Sequence, residues 1–282
     1  MNPIDKMKAA AKEGWSTFTP FESFTGSAAP HLVRFAGINQ GDRVLDVGCG
    51  TGVLTLTAAR AGGIVTGADL TPQLLERARE NARLAGLEAE FEEADVEALP
   101  YADDAFDVVL SQFGHMFGPQ PEVTVKEMTR VLKPGGTLAF STWPPELMLG
   151  RMFKLLGTYG PPPPLGVSPP WQWGDVAIVS DRLEGLVENL TFDMACLRFP
   201  VLSPAHARVF YEQNAGPLTK LVDVLSDDPD KLAQLRLDME ALASDYFVDN
   251  VLHQDFLMTR CRRVLSPLCS DRRALEHHSY RH

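Results

Sequence analysis

The chain has 282 residues, 45% of them hydrophobic, and its 26 basic and 37 acidic residues give a formal net charge of −11. This length suits one large domain or a core with a modest accessory region. The acidic balance argues against a nucleic-acid-binding surface, which needs clustered Lys and Arg. No apolar run approaches membrane-spanning length, and no apolar stretch follows the N-terminal lysines as in a signal peptide. We therefore expect a cytoplasmic protein that contacts neither nucleic acid nor membrane.

The cysteines and the acidic clusters indicate no metal site. The four cysteines stand at positions 49, 196, 261 and 269, and no two have the CxxC spacing of a zinc cluster or redox pair. A reduced chain in the cytosol is the simplest interpretation. The acidic run at 227–230 is predicted to begin a helix, where the helix dipole favours negative charge.

The first 40 residues are predicted to form helices and a loop. Phe18, Phe21 and Phe24 lie in a stretch punctuated by Pro, Gly and Ser, and residues 31–38 have the spacing of a short amphipathic helix. We interpret residues 1–40 as an aromatic lid segment.

Residues 41–143 alternate between strand and helix patterns. Strands are predicted at 43–47, 64–68, 89–93, 106–110 and 137–141, and helices at 51–60, 71–86 and 121–132. Thr71 and Pro72 are typical of a helix start, and Gly86 of a helix end. Strands that alternate with helices imply parallel βαβ units, so we predict an α/β, Rossmann-like core whose mostly parallel sheet carries helices on both faces.

The rest of the chain has a different character. A proline-rich loop is predicted at 161–170, a helix at 181–190, a strand at 192–199, a mostly helical region at 203–247 and a last strand at 256–264. This is more chain than two strands and a crossover require. We therefore predict that residues 144–264 hold the remaining core strands with a helical substrate cap inserted, packed over the carboxyl ends of the strands. The tail at 265–282 has no clear pattern and is similar to a purification-tag remnant.

The strongest motif is VLDVGCGTG at residues 44–52, where a predicted strand passes into a predicted helix. Gly48, Gly50 and Gly52 permit a tight turn and a close approach of the backbone to a ligand. Asp69 ends the second strand, about where a carboxylate accepts both hydroxyls of a ribose. The pattern therefore predicts a nucleoside-type cofactor.

Two cofactor classes compete for this motif. A nicotinamide or flavin site usually shows GxGxxG, whereas the spacing here is GxGxG. Asp46 stands two residues before the first glycine, where it would repel a pyrophosphate at the helix N-terminus. The same carboxylate suits a ligand with an ammonium group, such as the methionine part of S-adenosylmethionine. The charge therefore favours S-adenosylmethionine as the cofactor.

A second acidic segment, EADVEALP at 93–100, follows the third strand. Asp95 is suited to accept a hydrogen bond from an adenine amino group, and the Val96 amide to donate to the ring. The alternative for Asp95 is an Asx turn within the loop.

Five ordered segments together resemble the class I S-adenosylmethionine-dependent methyltransferases, in particular the broad group around the ubiquinone-biosynthesis enzymes. They are residues 44–52, Asp69, residues 94–100, residues 106–111 and the RVLKPGG segment at 130–136. The resemblance implies a seven-stranded sheet with an antiparallel last strand. It also implies that Gly48 and Gly50 contact the methionine part, Asp69 the ribose and Asp95 the adenine. The predicted cofactor-binding residues are Asp46, Gly48, Cys49, Gly50, Gly52, Asp69, Leu70, Asp95, Val96 and Ser111.

The segment SQFGHMF at 111–117 departs from the ubiquinone group, because it lacks the Arg-Asn pair expected there, and this argues against a quinone precursor. His115 is the one candidate catalytic residue, as a general base or a substrate contact. The alternative is a histidine packed against Phe113, Met116 and Phe117.

We predict a methyltransferase that acts on a small, largely apolar acceptor by direct displacement at the sulfonium. A non-catalytic S-adenosylmethionine-binding protein and, less favoured, a nicotinamide-dependent oxidoreductase are the alternatives.

Overall fold

The computed structural model describes residues 3–265, so nearly all of the predicted tail at 265–282 lies outside the described residues. Eight strands form one sheet: β1 (Arg43–Val47), β2 (Ile64–Asp69), β3 (Glu90–Glu93), β4 (Phe106–Gln112), β5 (Leu132–Thr142), β6 (Val187–Pro200), β7 (Phe247–Val248) and β8 (Val251–Arg263). Their order is β3-β2-β1-β4-β5-β8-β6, with β7 paired to β8.

The strand directions are those of the predicted core. Strands β1 to β5 pair in parallel, and β8 lies antiparallel between β5 and β6. The prediction of a mostly parallel sheet is confirmed, but the number of strands is eight rather than seven. The additional strand, β7, has two residues, and a reversal at Asp249 and Asn250, with φ of 51° and 62°, joins it to β8. Two consecutive residues with positive φ are typical of a two-residue hairpin turn.

Helices cover both faces of the sheet. They are α1 (Pro3–Gly14), α2 (Glu22–Thr25), α3 (Ala29–Ala36), α4 (Val53–Arg60), α5 (Pro72–Ala85), α6 (Pro121–Arg130), α7 (Met148–Tyr159), α8 (Val176–Leu183), α9 (Pro204–Asn214), α10 (Gly216–Leu225) and α11 (Pro229–Ser244). Asp46 of β1 faces α4, where it bonds Thr55. Phe140 of β5 faces the opposite side, where it contacts Trp173. We call these two sides the α4 face and the Trp173 face.

Local signals set the helix of the second βαβ unit. Helix α5 begins at Pro72 and ends before Gly86, which has a φ of 62°. Leu75, Ala78 and Ala82 are buried along one side of it. The start and the end of this helix were both predicted.

The predicted helix at 181–190 is wrong in its bounds. Helix α8 begins after Asp175, whose carboxylate accepts from two amides of its first turn, and it ends at Leu183. Gly185, with a φ of 72°, then turns the chain, and β6 starts at Val187. The turn at Gly185 lets Val187 and Glu188 pair with β8 instead of extending the helix. Strand β8 likewise begins at Val251, earlier than the predicted start at residue 256.

The additional helices leave the sheet at one edge. Helix α7 follows β5, and α9, α10 and α11 lie between β6 and β8. Because β6 is parallel to β5, both insertions start from the carboxyl ends of these strands. The N-terminal segment packs against them there: Phe24 stacks on Phe199 with ring centres 4.1 Å apart, and Phe21 contacts Tyr211. Together the two regions form an aromatic layer over the carboxyl edge of the sheet.

Candidate cofactor site

The loop between β1 and α4 is built from glycines in left-handed conformations. Gly48, Gly50 and Gly52 have φ of 67°, 55° and 82°. The amides of Gly48 and Cys49 both donate to the carbonyl of Ala68, which ties the loop to β2. A Cβ atom at Gly48 would lie 2.7 Å from the Cα of Gly114, so only glycine fits there. The loop therefore exposes backbone atoms without side chains at the carboxyl edge of the sheet.

Asp46 lies buried beneath this loop. One carboxylate oxygen, Oδ2, accepts from the Thr55 hydroxyl at 2.6 Å, and the other, Oδ1, has no hydrogen-bond partner among the described residues. Burial, with a smaller contribution from the charge of Asp69, raises the pKa of Asp46 to about 7. A buried carboxylate oxygen without a partner is costly, and a cationic ligand group would offset that cost.

Asp69 stands at the end of β2, beside the loop. Its Oδ2 accepts from the amide of Gly50 at 2.8 Å, and its Oδ1 accepts from the amide of Thr71 at 2.9 Å. Each oxygen keeps a lone pair for a further donor. Burial raises the pKa of this carboxyl, and the two amides act against the shift. The backbone thus fixes the carboxylate before any ligand arrives.

Cys49 and Leu70 flank the two acids. The Cys49 side chain is buried, and burial raises its thiol pKa well above the ordinary value, which argues against nucleophilic chemistry. A Cβ atom at Gly67 of β2 would lie 2.9 Å from the Cys49 sulfur, so glycine at position 67 leaves the room that the Cys49 side chain occupies. Leu70 is half-buried where β2 leads into the next turn.

Asp95 is engaged by the N-terminal helix. Lys8 of α1 places Nζ 2.6 Å from Asp95 Oδ2 and 2.6 Å from Glu97 Oε2, and Lys12 pairs with Glu93. The other oxygen of Asp95 accepts from the Glu97 amide at 2.9 Å, so the Asx-type turn is present as well. No local sequence pattern indicates these ion pairs, although Lys8 and Lys12 stand one helical turn apart and so share a face.

Ser111 lies under the turn after β4 and is fully buried. Its hydroxyl donates to the carbonyl of Val47 at 2.6 Å and accepts from the amide of His115 at 3.0 Å. The structure therefore brings Asp46, the glycine loop and Asp69 together at the ends of β1 and β2, places Asp95 and Val96 after β3, and uses Ser111 to join β4 to the loop.

Comparison with known proteins decides the family. A family model described as a methyltransferase domain matches residues 44–136. An uncharacterized protein of Mycobacterium tuberculosis is 34% identical over 243 residues, 86% of this chain and 89% of that protein. A Bdellovibrio bacteriovorus enzyme, ubiquinone/menaquinone biosynthesis C-methyltransferase, is 42% identical over 107 residues, 37% of this chain and 46% of that enzyme. This chain belongs to the class I S-adenosylmethionine-dependent methyltransferases.

Solved structures share the fold. A Bacillus halodurans protein aligns with a TM-score of 0.58 at 19% identity, over 84% of this chain and 99% of that one. A Haemonchus contortus phosphoethanolamine N-methyltransferase, solved with S-adenosylmethionine, aligns with a TM-score of 0.53 at 17% identity, over 84% of this chain and 52% of that one. S-adenosylmethionine is the cofactor of the present methyltransferase, as predicted. The glycine cradle and the unpartnered oxygen of Asp46 are features that fit it.

His115 of this methyltransferase is enclosed on the Trp173 face. Its ring is fully buried against Phe140 and Trp173, each with ring centres 4.6 Å away, and neither ring nitrogen has a hydrogen-bond partner among the described residues. Burial, together with the charge of Arg182, lowers the pKa of His115 to about 3, so the ring is neutral near pH 7. The two rings that His115 contacts, Phe140 and Trp173, were not among the packing partners predicted for it.

The turn after β4 carries a feature that sequence reasoning missed. Phe113 has a φ of 64°, an uncommon conformation for a bulky residue. This turn brings Gly114 against Gly48 and stacks the Phe113 ring on Trp143 with ring centres 4.0 Å apart. Backbone strain of this kind concentrates at functional sites. In the sequence, the glycine at position 114 is the residue that could have indicated a tight turn here.

The described residues were also examined for a metal-binding cluster and for a membrane-spanning helix. No cluster of three or more His, Cys, Asp or Glu suited to a metal ion occurs within residues 3–265. Within the same range, none of the helices has the length and apolar character needed to cross a membrane.

Proposed function

We propose that this methyltransferase transfers a methyl group to a small, largely apolar acceptor held between the glycine loop and the aromatic layer. The observation that carries the proposal is that layer. Phe21 and Phe24 of the N-terminal segment pack against Phe199 near the end of β6 and against Phe210 and Tyr211 of α9. An apolar cover of this kind excludes water and favours an apolar ligand.

The contacts of Asp46 and Asp69 support the proposed cofactor-binding roles. Asp46 Oδ1 would receive the ammonium group, and the backbone at Gly48, Cys49, Gly50 and Gly52 would cradle the methionine part. Asp69, already held by two amides, would accept both ribose hydroxyls. Leu70 would pack beside the ribose.

The adenine end is assigned to Asp95 and Val96. Asp95 Oδ2 would accept from the adenine amino group after Lys8 withdraws, and the Val96 amide would donate to the ring. Ser111 would act indirectly, by holding β4 to the β1 end through the Val47 carbonyl. Each predicted cofactor-binding residue except Ser111 is thus proposed to contact the cofactor directly.

The residues around the site would orient the acceptor and exclude water. The bound cofactor supplies an activated methyl group on a sulfonium, so orientation carries much of the barrier reduction. His115 is packed on all sides and neutral, and we assign it to the support of the turn after β4 rather than to proton transfer. No nucleic acid is expected as acceptor, since the net charge is −11.

Calorimetry and a turnover screen test the proposal together. S-adenosylmethionine and S-adenosylhomocysteine should bind the purified protein, and NAD should not. The screen offers small phenols, amines, thiols and carboxylates and measures S-adenosylhomocysteine release. Release with a small apolar acceptor supports the proposal. Binding of both sulfur cofactors without release from any class would favour the non-catalytic alternative.

A further inference from the structure

Besides Asp46 Oδ1, two further buried polar atoms on the α4 face of the sheet have no hydrogen-bond partner among the described residues. Gln112 is the last residue of β4, and its Oε1 is buried without a hydrogen-bond partner. Ser141 of β5 is fully buried, and its hydroxyl also has no partner within the described residues. Unsatisfied buried polar atoms are rare in native structures and call for an explanation.

Strand register places these two side chains together. Gln112 pairs with Ser141 across the parallel β4–β5 ladder, so the side chains point to the same face. Asp46 pairs with Leu110 in the β1–β4 ladder, and beyond the two strand ends Gly48 packs against Gly114, which follows Gln112 by two residues. Adjacent strands lie about 4.8 Å apart. The pair therefore begins one strand away from the loop that is proposed to hold the methionine part.

The orientation of the Gln112 amide is fixed by its neighbour. Its Nε2 lies 3.0 Å from the carbonyl oxygen of Thr25. A carbonyl only accepts, so the atom next to it must be the NH2 group, and the carbonyl oxygen of the side chain is the free atom. The free Oε1 can accept a hydrogen bond, whereas the Ser141 hydroxyl can donate or accept.

Aromatic rings close one side of the pair. Trp143 follows Ser141 by two residues and so shares its face of the sheet. Phe113 stacks on Trp143 at 4.0 Å, and Phe256 meets both rings edge to face, at 5.4 Å from Phe113 and 6.1 Å from Trp143. An acceptor that combines a flat apolar body with one polar group would match these rings and the two polar atoms.

We propose that Gln112 and Ser141 form the acceptor-binding subsite of this methyltransferase and that they select an acceptor with a hydroxyl on an aromatic or similarly flat apolar body. This inference rests on the proposed function. A hydroxyl donates its hydrogen to Gln112 Oε1 and accepts from the Ser141 hydroxyl with one lone pair. Its second lone pair stays free to attack. An amine nitrogen has a single lone pair, which a bond from Ser141 would occupy.

The transfer step balances without a protein base. The free oxygen lone pair forms the new C–O bond, and the S–C bond breaks with its electron pair going to sulfur, which leaves a neutral thioether. The hydroxyl proton, held at Gln112 Oε1, then passes to water, since an amide oxygen is too weak a base to keep it. The pair thus orients the acceptor and carries no titratable group.

The test uses three probes of matched shape, 1-naphthol, 1-naphthylamine and 1-methylnaphthalene, titrated by fluorescence into protein saturated with S-adenosylhomocysteine. Two hydrogen bonds should make 1-naphthol bind about tenfold more tightly than 1-methylnaphthalene, with the amine between them. Ser141→Ala and Gln112→Met should each reduce this preference to about threefold or less. If Gln112→Met does not fold, Ser141→Ala decides alone.

Thr259→Val is the matched control. Thr259 is equally buried, and its hydroxyl also lacks a partner in the described structure, but it pairs with Phe140 and so faces the Trp173 side. The control should keep the tenfold preference. Equal binding of the three probes, or an equal loss in Thr259→Val, would overturn the subsite and leave the small apolar acceptor standing. Failure of all three probes to bind would refute both proposals.

Discussion

The two ends of the cofactor crevice are built in different ways. At the ends of β1 and β2, Asp69 is held by the amides of Gly50 and Thr71, within its own loop and turn. After β3, Asp95 is held by Lys8, which comes from a helix 87 residues earlier in the chain. The first end is organised without a ligand, whereas at the second end the proposed adenine contact would have to replace an ion pair. Ribose recognition should therefore dominate affinity, and adenine recognition should be adjustable through α1.

Asp69→Ala should have the largest effect on cofactor binding. It removes two charge-assisted hydrogen bonds to the ribose, each worth about 1.5–3 kcal/mol, so we expect the dissociation constant for S-adenosylhomocysteine to rise at least about 100-fold. Calorimetry measures the change, and Asp107→Asn, which alters an acid at the far end of β4, is the control. An unchanged constant for Asp69→Ala would mean that another acid binds the ribose.

Gly48→Ala and Gly50→Ala separate close packing from backbone strain. Both positions have positive φ, but a Cβ atom at Gly48 would meet Gly114 at 2.7 Å, whereas at Gly50 it would meet nothing within 4 Å. The strain alone should cost about 1 kcal/mol of unfolding free energy, and the clash about 1–3 kcal/mol more. Urea denaturation of the two variants measures the difference. Equal losses would show that the contact between the two loops does not constrain position 48.

The affinity for S-adenosylhomocysteine should change with pH as the Asp46 carboxyl ionises. Its pKa of about 7 means that the carboxyl ionises between pH 6 and 8, and only the ionised form pairs with the ammonium group. Affinity for S-adenosylhomocysteine should therefore rise about tenfold over that interval, and should be flat in Asp46→Asn. Because the pKa in the folded state lies above the ordinary 3.8, wild-type stability relative to this variant should fall from about pH 4 to pH 7 and then level off. A flat binding profile in the wild type would place the ammonium elsewhere.

Lys8→Met should have the smallest effect, and in the opposite direction. The ion pairs of Lys8 are partly exposed, and such pairs contribute about 0.2–1 kcal/mol. Their removal should leave Asp95 free for adenine and improve affinity by up to about fivefold. Lys6→Met, on an exposed position of the same helix, should change nothing. Weaker binding in Lys8→Met would show that α1 clamps the cofactor rather than competing with it.

The same contrast explains what the sequence could predict. Strand-end acids and glycine turns act through neighbouring backbone, so Asp46, Asp69 and the loop at 44–52 could be located from local pattern alone. Lys8 and Asp95 meet only through the packing of α1, which no local pattern reports. The predicted bounds of α8 were wrong for a related reason. The turn at Gly185 and the pairing of β6 with β8 override the helical spacing of residues 181–190.

The chain after the core was predictable as a helical region but not in its contacts. Its aromatic content and its place after the core predicted a substrate cap, and the helices inserted after β5 and β6 do start from the carboxyl ends of those strands. The pairing of Gln112 with Ser141 depends on the β4–β5 register, and the left-handed φ of Phe113 depends on its stacking and on Gly114. Neither follows from residue spacing, because each is decided by contacts between separate strands and loops.

A crystal structure of the complex with S-adenosylhomocysteine tests the central claim most directly. The account predicts the ammonium group at Asp46 Oδ1, both ribose hydroxyls on Asp69, and the adenine amino group on Asp95 Oδ2 with Lys8 moved away. A ligand seated elsewhere, or one bound at the glycine loop with the Lys8–Asp95 pair intact and the ribose away from Asp69, would contradict it.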